Sequence, residues 1–364
     1  MSKPAKELAR DSTALDGESA EGALSSNGRV THRKSHIVGL IVFTVGFIWC
    51  VAANAPLDAR VGLRLERVPG SSSMSVGIPF TDANGVKYYP FRSAYLGSRS
   101  LAIRVLEPTN PAPGKPRRLL FVLPVGVGVE QLSSTWSDGL EELRLLDVPN
   151  RFNMTLIAPS FSYLPWYGDN DLDQTHRMES FTVNDLVPFG DKFAKDKQPQ
   201  RMLIGFSKSG FGALELILRH PSVFSEAAIW DCPAQLNKIS EFPSLEINFG
   251  TQRNFDRYLI PILLSKSEEA FKSKTRLWIG EDRSIFTEDM IRLHRQLVAA
   301  AVPHVWAQGA TRLHSWSSGW LDGAISGLDA MSNEMPSDKP LAPNDPRLRH
   351  DAEKSTSSAT SPGQ

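Results

Sequence analysis

The chain is poor in the residues that build disulfide scaffolds and metal centres. It has two cysteines in 364 residues, Cys50 and Cys232, with no disulfide framework and no zinc spacing. Cys50 lies in an apolar N-terminal segment, so Cys232 is expected as a small buried apolar side chain. No His-Glu-x-x-His pair and no Asp-rich calcium loop occurs. No nucleotide-binding glycine loop opens a helix, apart from one serine-bearing turn at residue 207. No metal and no cofactor is therefore expected. An excess of charge is missing too: 40 basic residues balance 40 acidic ones, so no broad basic face for nucleic acid is indicated. Internal repeats are absent. What is there is an ordinary globular composition, 41% apolar and 22% charged.

The ends differ from the middle. Residues 1–36 read as a polar, disordered N-terminus. Arg29, Arg33 and Lys34 precede an uncharged stretch, Ile37 to Ala53. Its 17 residues are long for a signal-peptide core and short for a spanning helix. Residues 37–55 are thus expected to be a signal peptide or a single transmembrane anchor. Ala53-Asn54-Ala55 fits a cleavage site, although Pro56 disfavours a cut after Ala55. The basic residues on the N-terminal side put the bulk of the chain outside the cytoplasm, secreted or membrane-anchored, with membrane contact only through residues 37–53. Residues 332–364, rich in Pro, Ser, Asp and Lys, read as a disordered tail.

Residues 56–331 make one domain. Its first part alternates apolar and polar residues at Val61 to Val68, Val86 to Tyr89 and Ser100 to Leu106, with a hairpin signal at Asn84-Gly85. Continuous apolar runs follow at Leu119 to Leu123 and Met154 to Ala158, the mark of strands buried on both faces. Strands then alternate with helical patterns: a helix over Glu179 to Phe193, a strand over Met202 to Phe206 and a helix to His220. Strands at Ala227 to Trp230, Leu277 to Ile279 and Val305-Trp306 are interleaved with helices at Thr287 to Ala301 and Trp320 to Met331. The pattern predicts a mostly parallel sheet with helices on both faces and a site at the C-terminal ends of its strands.

The turn Gly205-Phe206-Ser207-Lys208-Ser209-Gly210 links a strand to a helix. A serine on such a sharp turn is a nucleophile elbow, and small residues are needed two positions to either side. Ser209 stands where glycine is usual. A serine hydroxyl needs a base, and the base an orienting acid, in the chain order Ser, acid, His, each just after a strand. Among eight histidines, His314 fits best, in a short loop between the last strand and the last helix. Asp282 follows the strand at 277–279 and is the preferred acid, with Asp231, Glu281 and Asp289 open as rivals. The oxyanion donors are expected to be the N–H of Lys208 and that of Val125 or Gly126, since Pro124 has none. Trp166, Tyr167 and His176, in the loop after 154–158, are candidates to shape a substrate cleft.

GFSKSGFGA, GEDRSIF and LHSWSSGW, in that order, resemble the esterase D-like branch of the α/β-hydrolases, over about Ser100 to Leu328. Met178 to Phe189 resembles the helix before the elbow strand in that branch. The resemblance implies an α/β-hydrolase fold, Ser207 as nucleophile, Asp282 as acid and His314 as base. Departures are Ser209 and the single residue between Gly280 and Asp282, where two are common. The expected activity is cleavage of a carboxylic ester, on a small molecule or polymer-linked, through an acyl-enzyme. An acyltransferase with the same triad and a non-catalytic binding protein of the same fold stay open as alternatives.

Overall fold

Five apolar runs form the middle of one eleven-stranded sheet. The computed structural model describes residues 65–334 other than 98–100, 112–116, 129–135, 195, 197 and 282. The expected N-terminal segments, and the tail beyond residue 334, lie outside the described residues. Among the described residues no helix is long and apolar enough to cross a membrane.

The strands are β1 (Glu66–Arg67), β2 (Ser75–Val76), β3 (Phe80–Thr81), β4 (Lys87–Arg92), β5 (Leu101–Leu106), β6 (Arg118–Val122), β7 (Met154–Pro159), β8 (Arg201–Phe206), β9 (Glu226–Trp230), β10 (Leu277–Gly280) and β11 (Val305–Ala307). Their order is β1-β2-β4-β5-β7-β6-β8-β9-β10-β11, with β3 paired to β4 at one side. Pairing is antiparallel as far as β5–β7 and parallel from β7 to β11. The Asn84-Gly85 signal sits in the hairpin between β3 and β4, where Gly85 has φ +83. That backbone region is open to glycine at little cost.

The helices are α1 (Gly139–Leu145), α2 (Val148–Phe152), α3 (Met178–Phe181), α4 (Val187–Asp191), α5 (Ser207–Arg219), α6 (Pro243–Phe249), α7 (Gln252–Phe255), α8 (Ile260–Ser267), α9 (Thr287–Ala299) and α10 (Leu321–Ser332). The helix predicted over 179–193 is α3 and α4 joined by a π-turn at Thr182–Leu186. Pro188 supplies the reason. It has no N–H for the carbonyl of Asn184, which instead accepts the N–H of Ser72 at 3.0 Å. The helices α1, α2 and α6 were not legible in the sequence, being only one or two turns long.

Alternation along the central strands feeds two apolar layers. Leu119, Phe121, Leu203, Ile229 and Ile279 face α5, α8 and α9 through Phe211, Leu263 and Leu293. Leu120, Val122, Ile204, Phe206 and Trp230 face α1 and α10 through Leu140 and Ile325. The helix α5 is buried nearly all round, and so carries one costly group, Glu215. Below α5, Glu179 collects Arg219, the His220 ring at 2.7 Å and the Tyr258 hydroxyl at 2.7 Å.

Candidate active site

Ser207 directly follows β8 and starts α5 with φ +54. That left-handed conformation is strained for a residue with a side chain. The turn closes only because position 205 is glycine: a Cβ there would sit 2.3 Å from the carbonyl oxygen of Ser209. Ser209, the departure from the usual pattern, is fully buried. Its Oγ accepts the N–H of Phe206 at 3.1 Å and donates to the Phe206 carbonyl at 2.9 Å. The hydroxyl thus latches the turn from inside.

The adjacent strand β9 ends in a second left-handed residue, Asp231, with φ +43. Phe206 and Trp230 are register partners, so the residues after them lie side by side. The Ser207 N–H donates to the Asp231 carbonyl at 3.1 Å. The Asp231 carboxylate is fully buried and points at His314, whose Nδ1 lies 2.5 Å from Oδ2. A carboxylate only accepts, so Nδ1 carries the proton and Nε2 is left for another partner. The N–H groups of Phe286, at 2.6 Å, and Ile285, at 3.3 Å, complete the shell. Burial pushes the Asp231 carboxyl up, but the hydrogen bonds from His314, Ser284 and Phe286 outweigh it and hold it below the ordinary carboxylate range.

The sequence preferred Asp282, which lies outside the described residues. In the structure the carboxylate against His314 is that of the rival Asp231. The loop after β10 contributes backbone donors from 285 and 286 to that carboxylate instead. Asp289 accepts the Gln235 N–H at 3.0 Å, and Glu281 donates its own N–H to Ala307 at 2.9 Å.

His314 follows β11 in a loop fastened by the neighbouring tryptophans. Its ring lies 4.9 Å from that of Phe206, the residue before Ser207, and 5.9 Å from that of Phe286. Trp316 and Trp320 stack on each other at 5.5 Å, and Phe206 meets Trp316 edge-on at 5.0 Å. The two tryptophans of LHSWSSGW thus pack against Phe206, which in turn meets the His314 ring. The Trp316 N–H donates to the carbonyl of Trp136 at 2.9 Å, tying this loop to the chain before α1.

The loop after β6 lies beside the elbow because β6 and β8 are parallel neighbours. Val125 and Gly126 there are buried. Its Pro124 carbonyl accepts the hydroxyl of Tyr167 at 2.7 Å. In the first turn of α5, the N–H groups of Phe206 and Ser207 are satisfied by Ser209 and Asp231. The N–H of Lys208 is next, one of the donors that helix geometry leaves without an intrahelical partner.

The cleft expectation needs correction for two residues. Trp166 and Tyr167 have no accessible surface. Trp166 packs on Phe211 and Phe242, and Tyr167 on Phe161. A Cβ at Gly212 would lie 2.1 Å from the Tyr167 ring. Both aromatics pin their loop onto α5, since large rings gain more from burial than from lining a wet cleft. His176 is partly buried, its ring tilted against that of Tyr163 at 4.3 Å and bonded to Asp173 at 2.8 Å. The sequence did not single out Phe206, Phe286, Trp136 or the Lys208 side chain. The Lys208 ammonium lies 4.5 Å from the centre of the Trp136 ring. Position 208 drew notice only for its backbone.

A cavity of about 620 Å³ opens at the opposite, N-terminal ends of β8 to β10. Its cations are engaged: Arg201 by Asp191, Lys274 by Glu226, and Arg276 by the carbonyls of Ser225 and Pro221. Among the described residues no group of three or more His, Cys, Asp or Glu could hold a metal ion.

Residues 161–308 match the family model named Putative esterase. A solved ferulic acid esterase superposes with a TM-score of 0.50 at 15% identity, over 71% of this chain and 98% of its own. The S-formylglutathione hydrolase from Agrobacterium tumefaciens gives 0.49 at 14% identity, over 74% and 98%. Mycobacterium tuberculosis MPT51 gives 0.49 at 13% identity, over 66% and 96%. No curated protein matches the chain.

Proposed function

We propose that the chain is an esterase of the α/β-hydrolase fold that cleaves carboxylic esters with Ser207, His314 and Asp231, a reading supported by the family match and the fold. The Ser207 Oγ attacks the ester carbonyl while Nε2 of His314 takes its proton. Asp231 holds Nδ1–H and stabilises the imidazolium that forms. The developing oxyanion is met by the N–H of Lys208 and by that of Val125 or Gly126. The proton on Nε2 passes to the departing alkoxide, leaving an acyl-enzyme. Water, deprotonated by the same imidazole, then releases the acid. The sequence of residues 37–55, read as a signal peptide or anchor, supports a reaction outside the cytoplasm.

The observation that carries the proposal is the buried carboxylate of Asp231 on His314, next to a serine held at φ +54. A fluorophosphonate probe tests it. Wild type is expected to label and to hydrolyse short p-nitrophenyl esters, and Ser207→Ala to do neither. Folded wild type that neither labels nor hydrolyses would leave a binding protein with an esterase scaffold.

A further inference from the structure

We infer that Lys208 selects esters carrying an anionic group a few bonds from the scissile carbonyl, with its ammonium as the counter-ion; this rests on the esterase reading above. Three features of the position support it. Lys208 directly follows Ser207 and sits in the first turn of α5. A cation there faces the positive end of the helix dipole, which is unfavourable. It is also partly buried, and burial lowers its affinity for its proton. Among the described residues no carboxylate lies within ion-pair reach of Nζ. Its described partner is the face of Trp136, at 4.5 Å.

A cation–π contact returns only part of the cost of burying an ammonium; such contacts supply about 0.5–2 kcal/mol. Buried charges are ordinarily paired. Here the cation adjoins the nucleophile. Trp136 also gives its carbonyl to the N–H of Trp316, two residues after His314. The ring that holds the ammonium is thereby tied to the loop that carries His314. A carboxylate or phosphate on the substrate would complete the ion pair in a site already partly dry, where a charge-assisted hydrogen bond is strong. A neutral ester of the same length would leave the cation as it is.

The test uses two pairs of esters of matched size. The p-nitrophenyl hemiester of succinate against p-nitrophenyl butyrate places the charge on the acyl side. 4-Acetoxybenzoate against phenyl acetate places it on the alcohol side. The readout is the anionic-to-neutral ratio of kcat/KM, normalised to the hydroxide-catalysed rates. In wild type at low ionic strength this ratio is expected to be about tenfold or more for at least one pair. Lys208→Met should abolish the excess, and Lys208→Arg should keep most of it. If Ser207 takes the fluorophosphonate but both ratios equal one in wild type, the Lys208 inference falls and the esterase reading stands. Equal ratios in wild type and Lys208→Met also overturn it. If Ser207 neither labels nor turns over any of the four esters, both readings fall together.

Discussion

The imidazole of His314 is bound at 2.5 Å by the carboxylate of Asp231, a residue from the strand next to the serine strand, not from the one after it. Asp231 is therefore tied into this turn twice, through its side chain to His314 and through its carbonyl to the Ser207 N–H.

Replacing Asp231 by Asn is expected to lower kcat by about 10³–10⁴ with the fold retained, because the amide favours the wrong imidazole tautomer. Asp282→Asn should stay within a few-fold of wild type. Steady-state rates on a p-nitrophenyl ester, with circular dichroism to confirm folding, decide between the two carboxylates. The reverse ranking would restore Asp282 as the acid.

The Ser209 latch should be measurable by itself. Ser209→Gly removes both hydrogen bonds to Phe206 and is expected to cost about 1–2 kcal/mol in urea unfolding. Gly205→Ala should be far worse, since its Cβ would meet backbone at 2.3 Å. Little folded protein is expected from it. A fully active Gly205→Ala enzyme would mean that the turn is looser than described.

Tyr167 holds the loop with Val125 and Gly126 through its bond to Pro124. Burial keeps its phenol protonated, so this donor persists at every working pH. Tyr167→Phe is expected to lower kcat about tenfold with little change in KM, less than the 10²–10³ for deleting an oxyanion donor outright. An unaltered kcat would make the tyrosine a packing residue only.

Elements and site were legible to different depths, for physical reasons. The strands β6 to β10 announced themselves because strands buried on both faces are continuous apolar runs. Ser207 and His314 were readable because each sits at a punctuated turn. Asp231 and Asp282 both follow strands, and no local signal tells which carboxylate reaches an imidazole delivered 83 residues beyond Asp231. Trp166 and Tyr167 looked like cleft walls because an aromatic loop near a strand end reads the same whether its rings point out or in.

Glu215 in α5 and Glu179 beneath it predict opposite responses to pH. Burial pushes the Glu179 carboxyl up, but bonds from His220, Arg219 and Tyr258 win and hold it at about 2. A folded value below the unfolded one stabilises above the unfolded pKa of about 4.5. Roughly 3 kcal/mol is thus present at neutral pH and lost as pH falls from about 4.5 towards 2. Glu179→Gln should be clearly destabilised at pH 7 and much less so at pH 3. Glu215 is the reverse: burial first, then the nearby Glu179 charge, raise it well above the ordinary value. It costs stability as pH rises past its unfolded value. Glu215→Gln is expected to raise the melting temperature at pH 8 more than at pH 5. Equal gains at both would show that Glu215 does not titrate in this range.

The hydrogen bond from Ser207 to Asp231 fastens two strained crests to each other. A library built to broaden the ester repertoire would find its tolerance in the sidewalls, around Trp136 and Lys208. Positions 205 to 207, 209 and 230 to 232 would yield mostly dead clones, because neither crest can shift without dragging its neighbour.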